Sequence, residues 1–260
     1  MSTIPYAALL EGHDAGWYGL PDEVLDARCA VVRADQARDA HPAPDPGARQ
    51  AELVERLLDG DQPDPAEVAD LDGELARYQV WRILVSEAHE TAGRRLSAAI
   101  GENRDRTIVE HLRPAHAESV ETARDLASVA ALADDPDVRH ALAGTQRKKA
   151  DQLVEAARRY GAVRAAWSVL TRGAATHDQQ GTFGELRDLT DAWPTWRQHG
   201  SDRPWPSTPA ARLAWIAVHA TPWLPTPAEQ DERYAEVFGD AERQAATNRA
   251  QARAFGGVFG

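Results

Sequence analysis

This chain of 260 residues has little cysteine, no long apolar runs and almost no alternating β-strand patterns. Its one cysteine, Cys29, excludes an internal disulfide and a cysteine-based zinc cluster, and we expect it to be a small buried side chain on a helix. No apolar run approaches the roughly eighteen residues of a membrane-spanning helix, and the first residues lack the pattern of a secretion signal. We therefore expect a protein of the cytoplasm.

The absence of alternating apolar and polar residues argues against a sheet and predicts an all-α fold. Charge is spread unevenly: residues 1–75 hold seventeen Asp and Glu against five Arg, which equals the whole net charge of −12. An acidic first third suits a solubilising arm or a basic partner surface, and it argues against general nucleic-acid binding.

Helix starts are predicted at four places where a capping side chain stands directly before a proline: Asp64-Pro65, Asp135-Pro136, Thr208-Pro209 and Thr226-Pro227. Glu67 and Glu229 follow two of these caps by three residues and complete capping-box patterns. Further helices are expected over residues 22–39, over 48–59 ending at Gly60, and near 182–192, 209–220 and 227–253.

One apolar stripe with spacings of three and four residues runs from residue 68 to 99 and resumes from 109 to 130, and a second runs from 138 to 170. Pro114 is expected to kink or split the first helix. The short turn around Asp135 should fold the two arms back as a long antiparallel, coiled-coil-like hairpin. We thus expect three segments: an acidic helical arm with a Pro-rich linker (1–60), the hairpin (61–172) and a smaller Trp/Pro-rich helical region (173–260).

The sequence offers few patterns for chemistry. The metal-binding pattern of "HETAG" (89–93) fails at Gly93, where a second histidine is needed, and the chain holds no Gly-rich phosphate loop and no nucleophile elbow. We expect no catalytic residue, metal or cofactor, with an enzyme built from unrecognised residues as an alternative.

The strongest candidate for an anion site is a basic segment made of Arg147, Lys148, Lys149, Arg158 and Arg159. A helical nucleic-acid-binding protein would use this face. Asp151 and Glu155 interleave with these bases, so a solvated face with intrahelical ion pairs is the other interpretation.

Five of the eight tryptophans lie between residues 193 and 223, among several prolines. Tryptophan is enriched in interface hot spots, and an apolar C-terminal end could dock into a groove. We predict as partner-binding residues Trp193, Trp196, Trp205, Trp223, Phe255 and Phe259. The alternative is that the tryptophans build a second small core with the last helices.

The segments "HLRPAHAESVETAR" (111–124) and "AARRYGAVRAAW" (156–167) resemble long helical hairpins of proteins encoded near capsid genes in actinobacterial phages and prophages. The resemblance covers about 60 residues and implies a structural or assembly role in a virion, without any functional residue. Together these features predict a non-enzymatic protein that binds a protein partner or itself, in the cytoplasm or in a virion.

Overall fold

A computed structural model shows the chain to be all-α, as predicted. The structure describes residues 6–41, 43–171, 184–195, 202–233, 235–237 and 239. Within these ranges there is no β-strand, and the one extended pairing is an isolated antiparallel bridge between Leu186 and Pro222. None of the described helices has both the length and the apolar character needed to cross a membrane.

Four described helices lie between residues 7 and 102: α1 (Ala7–Asp14), α2 (Asp22–Asp39), α3 (Pro46–Leu58) and α4 (Pro65–Glu102). After the short α5 (Arg104–Arg106) and a π-helical stretch (Thr107–Leu112) follow α6 (Arg113–Asp125), α7 (Ala130–Ala133), α8 (Pro136–Ala141) and α9 (Gly144–Thr171). The last described helices are α10 (Leu189–Ala192), α11 (Pro209–His219) and α12, which begins at residue 227 and of which 227–233, 235–237 and 239 are described.

The chain groups into two compact units, which differ from the three segments expected from the sequence. One unit comprises Pro21–Asn103, and the other comprises the described residues up to Leu20 together with those from Arg104 onward. We call them the α2–α4 unit and the α6–α9–α11 unit. The predicted Cys29 burial is wrong, because this side chain lies exposed on α2.

The α2–α4 unit is built mainly on the packing of α4 against α2. Val31 and Ala34 of α2 and Val85 and Ala92 of α4 are buried. Arg56 ties α3 to the start of α4, since its guanidinium lies 3.0 Å from the Glu67 carboxylate. Glu67, predicted to complete a capping box, thus contacts another helix.

The predicted single hairpin is not confirmed. α4, its expected first arm, packs on α2, whereas the shorter α6 packs on α9 in the other unit. The chain changes helix type just before Pro114, as a π-helical stretch over Thr107–Leu112 passes directly into α6. A proline removes one helical hydrogen bond and crowds the preceding turn, which explains a change of geometry there.

The α6–α9–α11 unit has a core of small and medium side chains at which these three helices meet. Its buried residues include six alanines of α9 and α11: Ala150, Ala156, Ala157, Ala210, Ala214 and Ala217. α1 also packs on α9. Gly12 of α1 lies against Tyr18, and a Cβ added at this position would lie 2.2 Å from the Tyr18 hydroxyl, so a glycine is required.

All four predicted Xaa-Pro helix starts are confirmed, but the caps differ in origin. The Asp64 and Asp135 carboxylates accept bonds from their own helices, and Thr226 and Glu229 form the predicted capping box. At α11 the carboxylate of Asp134 accepts from the amides of Ala210 and Ala211, at 2.9 and 2.7 Å. A residue 76 positions earlier in the sequence therefore caps this helix.

Candidate functional site

Tryptophans form a small second core beside α11. Trp205 packs with Leu186, Leu189 and Ile216, and its ring centroid lies 5.3 Å from Trp193 and 5.7 Å from Trp215. Only 7% of Trp205 is exposed. Aromatic pairs at this distance and tilt stabilise one another in addition to the area they bury.

The predicted partner-binding residues are distributed around this small core. Trp205 is inside it, so a partner could not reach the ring without opening the core, and this ring is a packing residue instead of a surface anchor. Trp193 and Trp223 are half-buried against the same core. Trp196, Phe255 and Phe259 lie outside the described residues. Partner binding by the half-buried tryptophans stays a prediction.

A buried polar network fixes the segment 184–188 to the helices. The Tyr160 hydroxyl donates to the Glu185 carboxylate at 3.0 Å, and Arg212 of α11 pairs with the same carboxylate. Arg164 donates to the Gly184 carbonyl at 2.6 Å. Burial raises the pKa of Tyr160 above its usual range, so this hydroxyl remains a donor.

His116 lies beside this network and is the most strongly perturbed imidazole described. It is 5% exposed, and its ring centroid lies 5.1 Å from that of Tyr160. Its Nε2 is buried and has no hydrogen-bond partner among the described residues. Burial, followed by the nearby Arg164 cation, lowers the pKa of His116 from 6.5 to about 3, so the imidazole is neutral at neutral pH.

His116 also borders a cleft of about 510 Å³ between α6 and the last helix. Arg113 crosses it, pairs with Glu229 and donates to the Leu224 carbonyl at 3.0 Å. Arg233 pairs with Glu236 at 2.8 Å. Because most of these charges neutralise one another, the arrangement favours holding the last helix in place over recognising a charged ligand.

The predicted anion-binding residues all lie on α9, where acidic side chains accompany them. Arg147 lies 3.9 Å from Asp151, and Arg158 lies 3.0 Å from Glu155. Arg159 turns inward to pair with Glu118 and to donate to the Trp17 carbonyl at 3.1 Å. Lys148 and Lys149 are exposed. The structure thus brings together bases and acids here, as in the second interpretation of the sequence.

An exposed apolar surface lies elsewhere, on α4. Val80, Ile83 and Leu84 are 58%, 56% and 55% exposed, and we call them the outer face of α4. At about 100° per residue, their mean direction is roughly 150° from that of the buried residues Val85, Ala92 and Leu96. α4 therefore has two apolar sides, of which one packs on α2 and the other meets solvent.

The short helix α3 also has both buried and exposed apolar residues. Its Leu53 is buried, whereas Val54, Leu57 and Leu58 are exposed. Of the eleven large apolar residues exposed in the described part of the chain, eight belong to the α2–α4 unit. Single exposed apolar residues are ordinary, and it is their concentration in one small unit that distinguishes the α2–α4 unit.

Sequence reasoning missed the outer face of α4, although a signal was present. The stripe used to predict the helix passes through Tyr78, Trp81 and Val85, and Val80, Ile83 and Leu84 fall between these positions. A helix that is apolar on two sides is expected to have two partners. Only one stripe was assigned a neighbour.

No group of three or more His, Cys, Asp or Glu side chains comes together as a metal site in the ranges that the structure describes. Comparison with known proteins finds no matching family model, no matching curated protein and no matching solved structure.

Proposed function

We propose that this protein is a non-enzymatic association protein that binds a protein partner through the outer face of α4. The observation that carries the proposal is the exposure of Val80, Ile83 and Leu84, each more than half accessible on two successive helical turns. Burying such side chains against a partner contributes about 25 cal/mol per Å² of apolar surface removed from water. Adjacent apolar positions on an exposed helix are the usual basis of helix-in-groove recognition.

Charge decides which kind of partner is favoured. The α2–α4 unit holds eighteen Asp and Glu against nine Arg and no Lys, a net charge of −9, whereas the rest of the chain balances to −3. Two copies of so acidic a unit would repel one another on approach. A partner with apolar side chains surrounded by lysine or arginine would be attracted, and its association would be accelerated at low salt.

The resemblance of segments 111–124 and 156–167 to proteins encoded near phage capsid genes supports one context for this partner. In that context the protein would act as an accessory in the structure or assembly of a virion. The resembling segments lie in the α6–α9–α11 unit, and the association surface on α4 belongs to the other unit.

A synthetic amphipathic helical peptide can represent the partner. One version carries leucines on one side flanked by lysines, and a second has the lysines replaced by glutamates. We expect the full-length protein to bind the lysine peptide in a fluorescence-anisotropy titration and to bind the glutamate peptide far more weakly. Rising salt should weaken the interaction, because screening reduces attraction between exposed charges.

The substitution Ile83→Ser should weaken binding of the lysine peptide by about tenfold, the loss expected when one large apolar contact is removed. Val218→Ser is the matched control, because Val218 is also an exposed apolar residue on a helix, 51% accessible, but belongs to the other unit. Equal binding by the two variants would refute the assignment of the surface.

Light scattering after size exclusion tests whether the protein instead associates with a second copy of itself. A monomer supports the proposal. A wild-type dimer that Ile83→Ser converts to monomers would overturn it, because a second copy would then occupy the outer face of α4.

A further inference from the structure

A separate pocket lies within the α2–α4 unit, between α2 and the inner side of α4. Its volume is about 200 Å³, the size of a fragment with one or two rings. α2 contributes Ala34 and Arg38, and His41 follows the end of that helix. The remaining lining comes from six residues between Tyr78 and His89 of α4. The pocket faces away from the outer face of α4.

The walls are rich in rings. Trp81 is half-buried, and the His41 ring meets it edge to face at a centroid distance of 4.7 Å. Tyr78 lies one helical turn before Trp81, and the aliphatic side chains of Val85 and Ala34 also line the space. Flat aromatic walls with small apolar side chains between them fit a planar ring better than a flexible chain.

The polar groups of the pocket are mostly donors. None of its described lining residues is acidic, although the surrounding unit has a net charge of −9. Arg82 is exposed at the rim and has no ion-pair partner among the described residues, and the neighbouring Ser86 hydroxyl has no hydrogen-bond partner among them. These two side chains are one turn apart on α4, and they can donate to the same acceptor.

The other basic side chain of the lining, Arg38, is already partly neutralised. Its guanidinium lies 3.1 Å from the Asp35 carboxylate and 3.4 Å from that of Asp39. The same Asp35 carboxylate lies 3.5 Å from His89. Asp35 therefore orients Arg38 and His89 from outside the lining, and Arg82 is left as the guanidinium able to bind an anion.

We propose that this pocket binds a small aromatic carboxylate. The ring packs against the wall formed by Trp81, His41 and Tyr78, and the carboxylate accepts hydrogen bonds from Arg82 and Ser86 at the rim. Arginine binds a carboxylate through two parallel hydrogen bonds, which orients the ligand as well as holding it. The ligand class follows from three features together: the size of the pocket, its ring walls and its single unpaired guanidinium.

Indole-3-carboxylate is a suitable probe, added to the full-length protein and followed by the indole N–H resonance of Trp81 in two-dimensional NMR spectra. Trp81→Phe assigns that resonance. We expect saturable binding with a dissociation constant of roughly 1 mM, as is usual for a ligand of this size. Cyclohexanecarboxylate, which lacks a flat ring, and neutral indole-3-carboxamide should each bind at least about tenfold more weakly.

Arg82→Gln should weaken binding of indole-3-carboxylate by about tenfold, because one charge-assisted contact is lost. Arg94→Gln is the matched control: it removes an exposed arginine of the same helix that does not line the pocket. Equal weakening by both variants, equal binding of the carboxamide, or no change at Trp81 with millimolar probe would each overturn the proposal. Because Ile83 lies on the other side of α4, Ile83→Ser should leave this binding unchanged.

Discussion

His116 makes the stability of the α6–α9–α11 unit depend on pH. In the folded state its pKa is about 3, compared with 6.5 when exposed. Folding therefore keeps the imidazole neutral where the unfolded chain would bind a proton. The full stability is present above pH 6.5, and it is lost progressively as pH falls from 6.5 toward 3.

The size of this loss of stability follows from the pKa shift of His116. Each pH unit below 6.5 costs up to about 1.4 kcal/mol until the folded-state pKa is reached. At pH 5.0 the penalty from this one group is therefore about 2 kcal/mol relative to pH 7.5. A typical domain has a stability of only about 5–15 kcal/mol, so the effect is large enough to measure.

The substitution His116→Phe isolates this contribution. Phe keeps a ring against Tyr160, removes a buried Nε2 without a partner, and has no proton to bind. We expect the free energy of unfolding of His116→Phe relative to wild type to rise by about 2 kcal/mol between pH 7.5 and pH 5.0. Other titrating groups cancel, because both proteins contain them.

Urea unfolding followed by tryptophan fluorescence is the appropriate assay, because seven of the eight tryptophans belong to this unit and only Trp81 lies in the other. His140→Phe is the control, since His140 is exposed on α8 in the folded state. The reasoning is refuted if the difference between His116→Phe and wild type is the same at both pH values. A His116 ring resonance that titrates near pH 6.5 would refute it as well.

Two further predictions concern contacts that join distant parts of this unit. Asp134→Asn should destabilise this unit by about 1 kcal/mol, because the cap of α11 loses its charge. The control Asp125→Asn, at the end of α6, should change the urea midpoint little. Equal midpoints for the two variants would contradict the assigned cap. Glu185→Gln should lower the free energy of unfolding by roughly 2 kcal/mol in the same assay, because the buried carboxylate accepts a hydrogen bond from Tyr160 and pairs with Arg212. Wild-type stability in this variant would show that the charge is not needed.

Local features of the fold could be predicted because they depend on neighbouring residues. A proline after a capping side chain favours a helix start, and the four predicted positions begin helices, as does Asp45-Pro46, whereas Thr221-Pro222 does not. The end of α3 is equally local: Gly60 has a φ of 89°, and the Asp61 amide donates to the Arg56 carbonyl, as a C-terminal glycine cap requires.

Helix pairing and the cap of α11 could not be predicted in this way. The apolar stripe of α4 resumes in the sequence at Val109, ten residues after Ala99, and one hairpin arm was expected from it, yet α4 packs on α2. An apolar stripe indicates that a helix packs against a neighbour, but it does not identify which helix that neighbour is. The Asp134 cap likewise depends on two segments that meet only in the folded chain.

For the candidate site, too, some features follow from the sequence and others depend on the tertiary structure. The sequence by itself determined the all-α class, the helix starts, the acidic character of residues 21–103 and the presence of tryptophan near α11, because composition and spacing are properties of the chain. Only the tertiary structure decided that Trp205 is packed inside while Ile83 and Leu84 remain in water. Burial depends on which surfaces meet, and an apolar side chain suits a core and an interface equally well until its neighbours are known.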